Sequence, residues 1–329
     1  MLKSSNEPPV DFNSEESWAT TRRYTSFLMP IPPSISYVLQ LLRADYLASL
    51  QTGTVRVQST TLSALHMIEI SAKLKAPIYF AATELYPDRV DVLQEDDTVK
   101  ALCDVLGPGL LGSVLALVYL HRRINKICAD PQWETLSKEM VLNMELGFLV
   151  GSAVPKLGAA DGVLAGGIRY AMLAPFLIAT PEYFKRYRNL KHRRFDLQHE
   201  HKIWGCDHSQ IAAFMLKELG FSLDLRANSH ALRMFDDDEF CTLPPELANW
   251  RAVLRFIDTI KDNGDLASGA RELSLTPEEL QDVKTKTEAL FKGNSSFTWM
   301  FKGSKTLDDT SGTPAKSEGA LEQGELAEE

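Results

Sequence analysis

The chain has 329 residues, of which 44% are apolar and 24% charged, and its formal net charge is −9. This composition is typical of a globular protein with a sizeable core, and the negative charge argues against binding of nucleic acid over the whole surface. The four cysteines, Cys103, Cys128, Cys206 and Cys241, follow no CxxC spacing. We therefore predict neither a zinc site nor a disulfide framework.

Residues 1–27 are polar and include two adjacent prolines, which predicts a flexible N-terminal arm, although Trp18, Tyr24 and Phe27 offer rings that could dock on the body. This segment lacks the apolar stretch that a secretory signal needs. The strongly apolar, uncharged run of residues 105–121 is broken by glycine and proline and is shorter than the ~20 apolar residues of a membrane span. We expect a cytoplasmic protein without a membrane span.

Helical periodicity begins after the arm and predicts an all-α body over residues 28–262. Ile35, Val38 and Leu39, for example, recur at the spacing of one helix face. Val55 and Val57 hint at a strand, but no neighbouring segment alternates so as to pair with it. Helices are predicted near residues 34–51, 60–75, 97–106, 109–128, 133–157, 160–179, 207–219, 223–235 and 245–262.

Two helix starts carry clear capping signals. Asp207 is followed three residues later by Gln210, and Thr276 is followed by Pro277 and then by Glu279. The second signal places a short C-terminal helix in the segment 263–303, after a linker. Residues 304–329 contain seven acids, two lysines and almost no large apolar residue, so we expect a disordered acidic tail.

Five stretches of the chain carry a common resemblance, and they are MPIPPSISYVLQLL, TVKALCDVLGPGLLGSVLALVYL, GVLAGGIRYAML, WGCDHSQIAAFMLKELGF and LRANSHAL. Together they resemble the HDOD family of bacterial proteins, a branch of the HD superfamily. The resemblance covers roughly residues 28–262, and the fourth stretch is the most specific, because it matches the G-x-D-H helix of that family. The resemblance implies an all-α, HD-superfamily-like domain with a signalling or regulatory role.

The same resemblance exposes a departure from the catalytic members of the superfamily. HD phosphohydrolases hold a divalent metal with a histidine, a His-Asp pair and a distant aspartate, and the metal polarises phosphate and activates water. Arg169 and Tyr170 align with the His-Asp pair, and no histidine lies between His121 and His192. A guanidinium has no lone pair to offer a metal. We therefore expect no catalytic residue, no bound metal and no cofactor.

The remaining positions of the degenerate HD site allow two interpretations each. Asp207, His208 and His230 are either the remnant of a ligand site or, as we favour, a helix cap and hydrogen-bonded helix histidines. Arg169 and Tyr170 could recognise a phosphate or nucleotide, since arginine binds phosphate in a bidentate manner. The favoured alternative is that Arg169 pairs with a buried acid such as Asp161 or Asp207.

Residues 185–202 form the strongest charge feature, with seven Lys or Arg, three His and two acids. Such a segment can bind an acidic protein surface or a phosphate backbone, and the plain alternative is a solvated connector between core helices. The candidate partner-binding side chains are Arg186, Arg188, Arg193, Arg194, Tyr187 and Phe195.

The sequence thus favours a non-catalytic, HDOD-type signal-transduction protein that acts through protein–protein contacts, with a possible small ligand in the degenerate cleft. The alternative is a metal-dependent phosphohydrolase or cyclic-nucleotide phosphodiesterase with displaced ligands. A nucleic-acid-associated regulator that uses residues 185–202 is a third, less favoured hypothesis.

Overall fold

Every regular element in the described part of the chain is helical, which confirms the predicted all-α fold. The computed structural model describes residues 11–69, 72–90, 99–154, 157–190, 195–222, 224–233, 243–262, 264–293 and 295–301. Its α-helices are α1 (Glu15–Thr25), α2 (Pro33–Thr52), α3 (Ser59–Glu69), α4 (Ala72–Leu85), α5 (Pro87–Val90), α6 (Val99–Ile127), α7 (Gln132–Ala153), α8 (Gly158–Ala171), α9 (Ala174–Ala179), α10 (Pro181–Leu190), α11 (Leu197–Trp204), α12 (His208–Glu218), α13 (Leu225–Arg233), α14 (Pro245–Lys261), α15 (Leu266–Glu272) and α16 (Pro277–Phe291).

Several predicted helices agree closely with the observed bounds, and the differences have local causes. The helices predicted at 97–106 and 109–128 join into the kinked helix α6. The chain bends at Gly107, whose φ of 74° only glycine adopts readily, and the next residue is a proline without an N–H group. The predicted helix 160–179 instead divides into α8 and α9. Val55 and Val57 lie in a loop.

Helix α8 forms the centre of the core, and every residue from 160 to 171 in it is buried. It packs against α7 along much of its length, and α6 covers another side. The two backbones of α7 and α8 approach so closely that a Cβ atom at Gly166 would overlap the carbonyl oxygen of Asn143. This tight contact fixes the position of the last turn of α8, which carries Arg169 and Tyr170.

Two helical segments, residues 100–127 and 158–179, are long and apolar enough to cross a membrane by length and composition. Burial inside the protein accounts for this apolar character, because 78% and 89% of an apolar 18-residue stretch in each of the two segments is buried. This burial is the pattern of helices in the core of a folded domain. A cytoplasmic location stays a prediction.

The expectation of a flexible arm over residues 1–27 is wrong for its second half. Helix α1 packs against α12, and Tyr24 is buried in the core, whereas Phe27 is exposed. The helix begins with a side-chain cap from Ser14 and carries two acids in its first turn, which is a helix start that the polar composition concealed. Residues 1–10 lie outside the described residues.

The C-terminal segment is also more than a linker followed by a helix. Helix α15 was not predicted, and residues 295–301 dock on the body through the buried rings of Phe297 and Trp299. Glu145 of α7 accepts hydrogen bonds from the backbone and hydroxyl groups of Ser296, both at 2.7 Å. The predicted capping box of α16 is confirmed. The predicted tail, residues 304–329, lies outside the described residues.

Candidate functional site

A cavity of about 940 Å³ opens beside the last turn of α8. We call it the cleft. Its walls come from α8, from residues 195–198, from the start of α12, from the end of α13 and from α14 and α15. The charged and aromatic side chains that line it are Arg169, Phe195, Asp196, His208, Arg233, Arg255, Phe256, Asp258, Asp262, Asp265 and Glu272. The fold therefore brings Arg169 and His208, two of the predicted site residues, to one cavity.

Arg169 is almost completely buried, with 2% of its surface exposed, yet its guanidinium has few polar partners. Its nearest carboxylate is Asp258, with 3.5 Å between Nη1 and Oδ2. The guanidinium carbon lies 4.3 Å from the centre of the Phe195 ring. Within the described residues Nε has no hydrogen-bond partner. A buried guanidinium with so few hydrogen bonds carries a free-energy cost.

The pairing that we predicted for Arg169 is wrong for both suggested acids. Asp161 pairs with Arg43 of α2, at 2.7 Å, and Asp207 pairs with Arg233 of α13, at 3.0 Å. Both aspartates therefore already have an arginine partner from another helix. Arg169 is left with Asp258, which lies on α14 and is one-third exposed.

Tyr170 does not reach the cleft. Its ring is 1% exposed, and its hydroxyl accepts a hydrogen bond from Nζ of Lys261 at 2.5 Å. The same ammonium lies 3.3 Å from a carboxylate oxygen of Glu139. Phe195 packs edge-on against Tyr170 at a ring-centre distance of 5.1 Å. Tyr170 thus supports the wall that Phe195 forms and takes no direct part in the cleft.

Asp207 caps helix α12 as predicted, and it also forms the centre of a buried ionic cluster. It accepts hydrogen bonds from the backbone of Gln210 at 3.0 Å, from Nε2 of His201 at 2.9 Å and from Nε of Arg233 at 3.1 Å. Burial alone would raise its pKa, but the charge of Arg233 and the hydrogen bond from His201 hold the pKa well below its usual range. Asp207 is therefore ionised and fully partnered.

His208 is buried and has a partner at Nδ1. Its Nδ1 and its backbone N–H both lie 2.8 Å from Oε2 of Glu200. The other oxygen of Glu200 accepts a hydrogen bond from the hydroxyl of Tyr187. Phe195 covers one face of the imidazole, with ring centres 4.1 Å apart. These contacts support the interpretation of His208 as a hydrogen-bonded helix histidine.

The N-terminal segment closes this cluster from outside. The backbone carbonyl of Phe12 accepts hydrogen bonds from Arg233 and from the side chain of Gln210, both at 2.9 Å. The Phe12 ring packs edge-on against His201, 4.7 Å away. The part played by Phe12 and His201 was not predicted from the sequence. Local capping signals were present at Ser14 for α1 and at Asp196 for α11.

His230, the last of the predicted degenerate-site residues, lies on α13 and does not line the cleft. Across the part of the chain that the structure describes, no three His, Cys, Asp or Glu side chains converge in a way that would hold a metal ion. Arg169 also places a permanent positive charge where the HD resemblance puts metal ligands.

The structure corrects part of the predicted partner-binding surface in residues 185–202. Tyr187 is buried, with 1% exposure, and Phe195 is half-buried in the wall of the cleft. On α10, Arg186 is exposed and Arg188 half-exposed. Arg193 and Arg194 lie outside the described residues.

The exposed aromatic ring of this region is Tyr183, with 56% exposure, and the Arg186 guanidinium lies 5.9 Å from its centre. The helical period could have predicted which of these rings are buried, because Phe184 and Tyr187 are three residues apart and lie on the same, buried face of α10.

No protein-family model matches the chain, and no curated protein matches it. Among solved structures, the chain is similar to the crystal structure of a protein from Shewanella amazonensis SB2B described as "Putative phosphohydrolase", with a TM-score of 0.56. The match covers 87% of this chain and 98% of that chain, at 13% sequence identity. At this identity the similarity concerns the fold, which is all-helical in the chain described above.

Proposed function

We propose that this chain is a non-catalytic, HDOD-type regulatory protein, in which the cleft binds a small ligand and an outer surface binds a protein partner. The single observation that carries the proposal is the position of Arg169, a buried guanidinium at the wall of a 940 Å³ cavity. The similarity in fold to the Shewanella protein supports an HD-superfamily architecture. The regulatory role is itself part of the proposal and does not follow from this similarity.

The chemistry of the neighbouring groups supports the absence of hydrolysis. An HD-type metal site needs several imidazole and carboxylate donors that converge on one point. Here Asp207 binds Arg233 and His201, and Nδ1 of His208 binds Glu200. Asp258 faces Arg169. The groups that resemble remnants of a metal site are thus engaged in protein contacts.

The proposal is tested by assays of hydrolysis and of metal content. The protein is incubated with Mn²⁺, Mg²⁺ or Fe²⁺ and with p-nitrophenyl phosphate, nucleoside monophosphates or cyclic dinucleotides. We expect phosphate or nucleotide release no faster than without protein, and a metal content well below one ion per chain. Metal-dependent hydrolysis that Asp258→Asn abolishes would instead establish the alternative, a phosphohydrolase with displaced ligands.

For the partner surface, we propose the exposed side of α10, where the Arg186 guanidinium lies 5.9 Å from the centre of the exposed Tyr183 ring. An aromatic ring beside cationic groups can bind an acidic protein surface. The double variant Tyr183→Ser with Arg186→Glu should capture less of the native partner at an unchanged melting temperature. Arg226→Glu, on the exposed side of α13, is the matched charge reversal and should capture the same amount. Equal capture by both variants would place the interface elsewhere.

A further inference from the structure

The buried arginines of the molecule differ in how completely their guanidinium groups are bonded. Arg233 donates from Nε and Nη2 to Asp207 and from Nη2 to the Phe12 carbonyl. Arg43 donates to Asp161 at 2.7 Å and also pairs with Glu246. Among the described residues, Arg169 makes only the 3.5 Å approach to Asp258 and the contact with the Phe195 ring. Its bonding is incomplete, and it is the arginine that faces the cavity from the core helix.

The charges around the cavity restrict which ligand can complete that bonding. The lining contains five carboxylates, from Asp196, Asp258, Asp262, Asp265 and Glu272, and three guanidiniums, from Arg169, Arg233 and Arg255. Arg233 is already engaged with Asp207, and Arg255 lies 3.4 Å from Glu272. A phosphate group with two or more negative charges would therefore meet an excess of negative charge.

We propose that the cleft binds a small dipolar molecule of the amino-acid type, whose carboxylate contacts Arg169 and whose amino group contacts Asp258. The ligand's carboxylate supplies the acceptor that Arg169 lacks, its amino group supplies a donor for Asp258, and these two groups together add no net charge to an acidic cavity. This inference rests on the proposed function, because it names the ligand class of the same non-catalytic cleft.

The walls fit the rest of such a ligand. Phe195 contributes apolar surface to the lining, Asp262 directly follows α14, and Asp265 directly precedes α15. A second cationic group on the ligand side chain would face these acids. The volume of about 940 Å³ is at the upper end for small-molecule sites and exceeds the main-chain part of an amino acid, so a long side chain can be accommodated.

Calorimetric titration with defined probes tests the proposal. L-Arginine and L-lysine are the dipolar probes, acetate is the anionic probe, putrescine is the cationic probe and AMP is the phosphate probe. We expect the two amino acids to bind at least tenfold more tightly than acetate, putrescine or AMP. Tighter binding of AMP would overturn the proposal in favour of a phosphate ligand, and binding of none of the probes would overturn it altogether.

Variants connect the binding to the named atoms. Arg169→Met and Asp258→Asn should each weaken L-arginine binding by about tenfold to a hundredfold, the range of one charge-assisted hydrogen bond. Arg226→Gln, an exposed arginine outside the cleft, should leave binding unchanged. Unchanged binding in both cleft variants, with melting temperatures showing that they fold, would overturn the assignment. The hydrolysis assay distinguishes the failures, because a missing amino-acid ligand without hydrolysis leaves the non-catalytic function intact.

Discussion

The buried charged groups on the two sides of Phe195 differ in how completely they are paired with other groups of the protein. On one side, Asp207 and His208 belong to a closed cluster in which Glu200, His201 and Arg233 supply partners at 2.8–3.1 Å. On the other side, Arg169 is as deeply buried but has its nearest carboxylate 3.5 Å away. A closed cluster is structural, since its partners are internal. An arginine with incomplete bonding beside a cavity fits the ligand site that we propose.

The largest expected effect comes from opening the closed cluster. Asp207→Ala removes the cap of α12 and leaves Arg233 without its carboxylate in the protein interior. Loss of one partner of a buried ion pair typically costs 3–5 kcal/mol of unfolding free energy. We therefore expect Asp207→Ala to lower the free energy of unfolding, measured by urea titration, by about 4 kcal/mol.

The matched control is Asp258→Ala, which removes the one-third exposed carboxylate that faces Arg169. Exposed or partly exposed pairs contribute about 0–1 kcal/mol, so this variant should lose much less. If both aspartate variants lost the same amount of stability, the distinction between a closed cluster and an open arginine would not hold.

A smaller loss is expected at Glu200, which joins His208 to Tyr187. Glu200→Gln keeps the size of the side chain but replaces one of two accepting oxygens by an NH₂ group, so either His208 or Tyr187 faces a donor. One buried donor without an acceptor costs about 1–3 kcal/mol. We expect a loss of about 2 kcal/mol in urea unfolding, and a loss below about 0.5 kcal/mol would show that a neutral side chain serves equally well.

The two regions also differ in how far the sequence could predict them. The cap of Asp207 was predicted, because Asp207 and Gln210 are three residues apart and form a local pattern. The arginine pairings could not be predicted. They join residues 26 positions apart, as for Asp207 and Arg233, or helices α8 and α14, as for Arg169 and Asp258. Local spacing carries no information about such contacts.

Helices α1, α10 and α11 were missed for a related reason. Their composition is polar, so they lack the many apolar residues that marked the core helices, although their few apolar residues do recur at helical spacing. Each contributes only a few buried groups, such as Tyr24, Tyr187 and Trp204, and the body of the protein supplies the rest of the contact. Side-chain caps at Ser14 and Asp196 were the local signals that remained.

The closed cluster should also have a characteristic pH dependence. The folded-state pKa of Asp207 is below its ordinary value of 3.8, so its stabilising effect is fully present above about pH 4 and is lost as the pH falls toward the folded-state pKa. The stability difference between the wild type and Asp207→Asn should be about 1 kcal/mol smaller at pH 3 than at pH 5. Urea titrations at each pH measure this difference, and a difference that grows on acidification would contradict the assignment.

The smallest effect, and the one that separates the two regions most directly, is expected at Arg169. Arg169→Met replaces an incompletely bonded buried guanidinium by an apolar side chain that can pack on Phe195, so the cost of burying the charge disappears together with the weak contact to Asp258. The free energy of unfolding should equal that of the wild type or exceed it by up to about 1 kcal/mol.

Arg233→Met is the matched substitution in the closed cluster. Because it leaves Asp207 buried beside only His201 and the backbone, it should lower the free energy of unfolding by about 3 kcal/mol or more. Urea unfolding of the two variants under the same conditions measures the contrast. Equal losses of unfolding free energy would mean that Arg169 has a structural role, as Arg233 has, and would contradict the proposed ligand site.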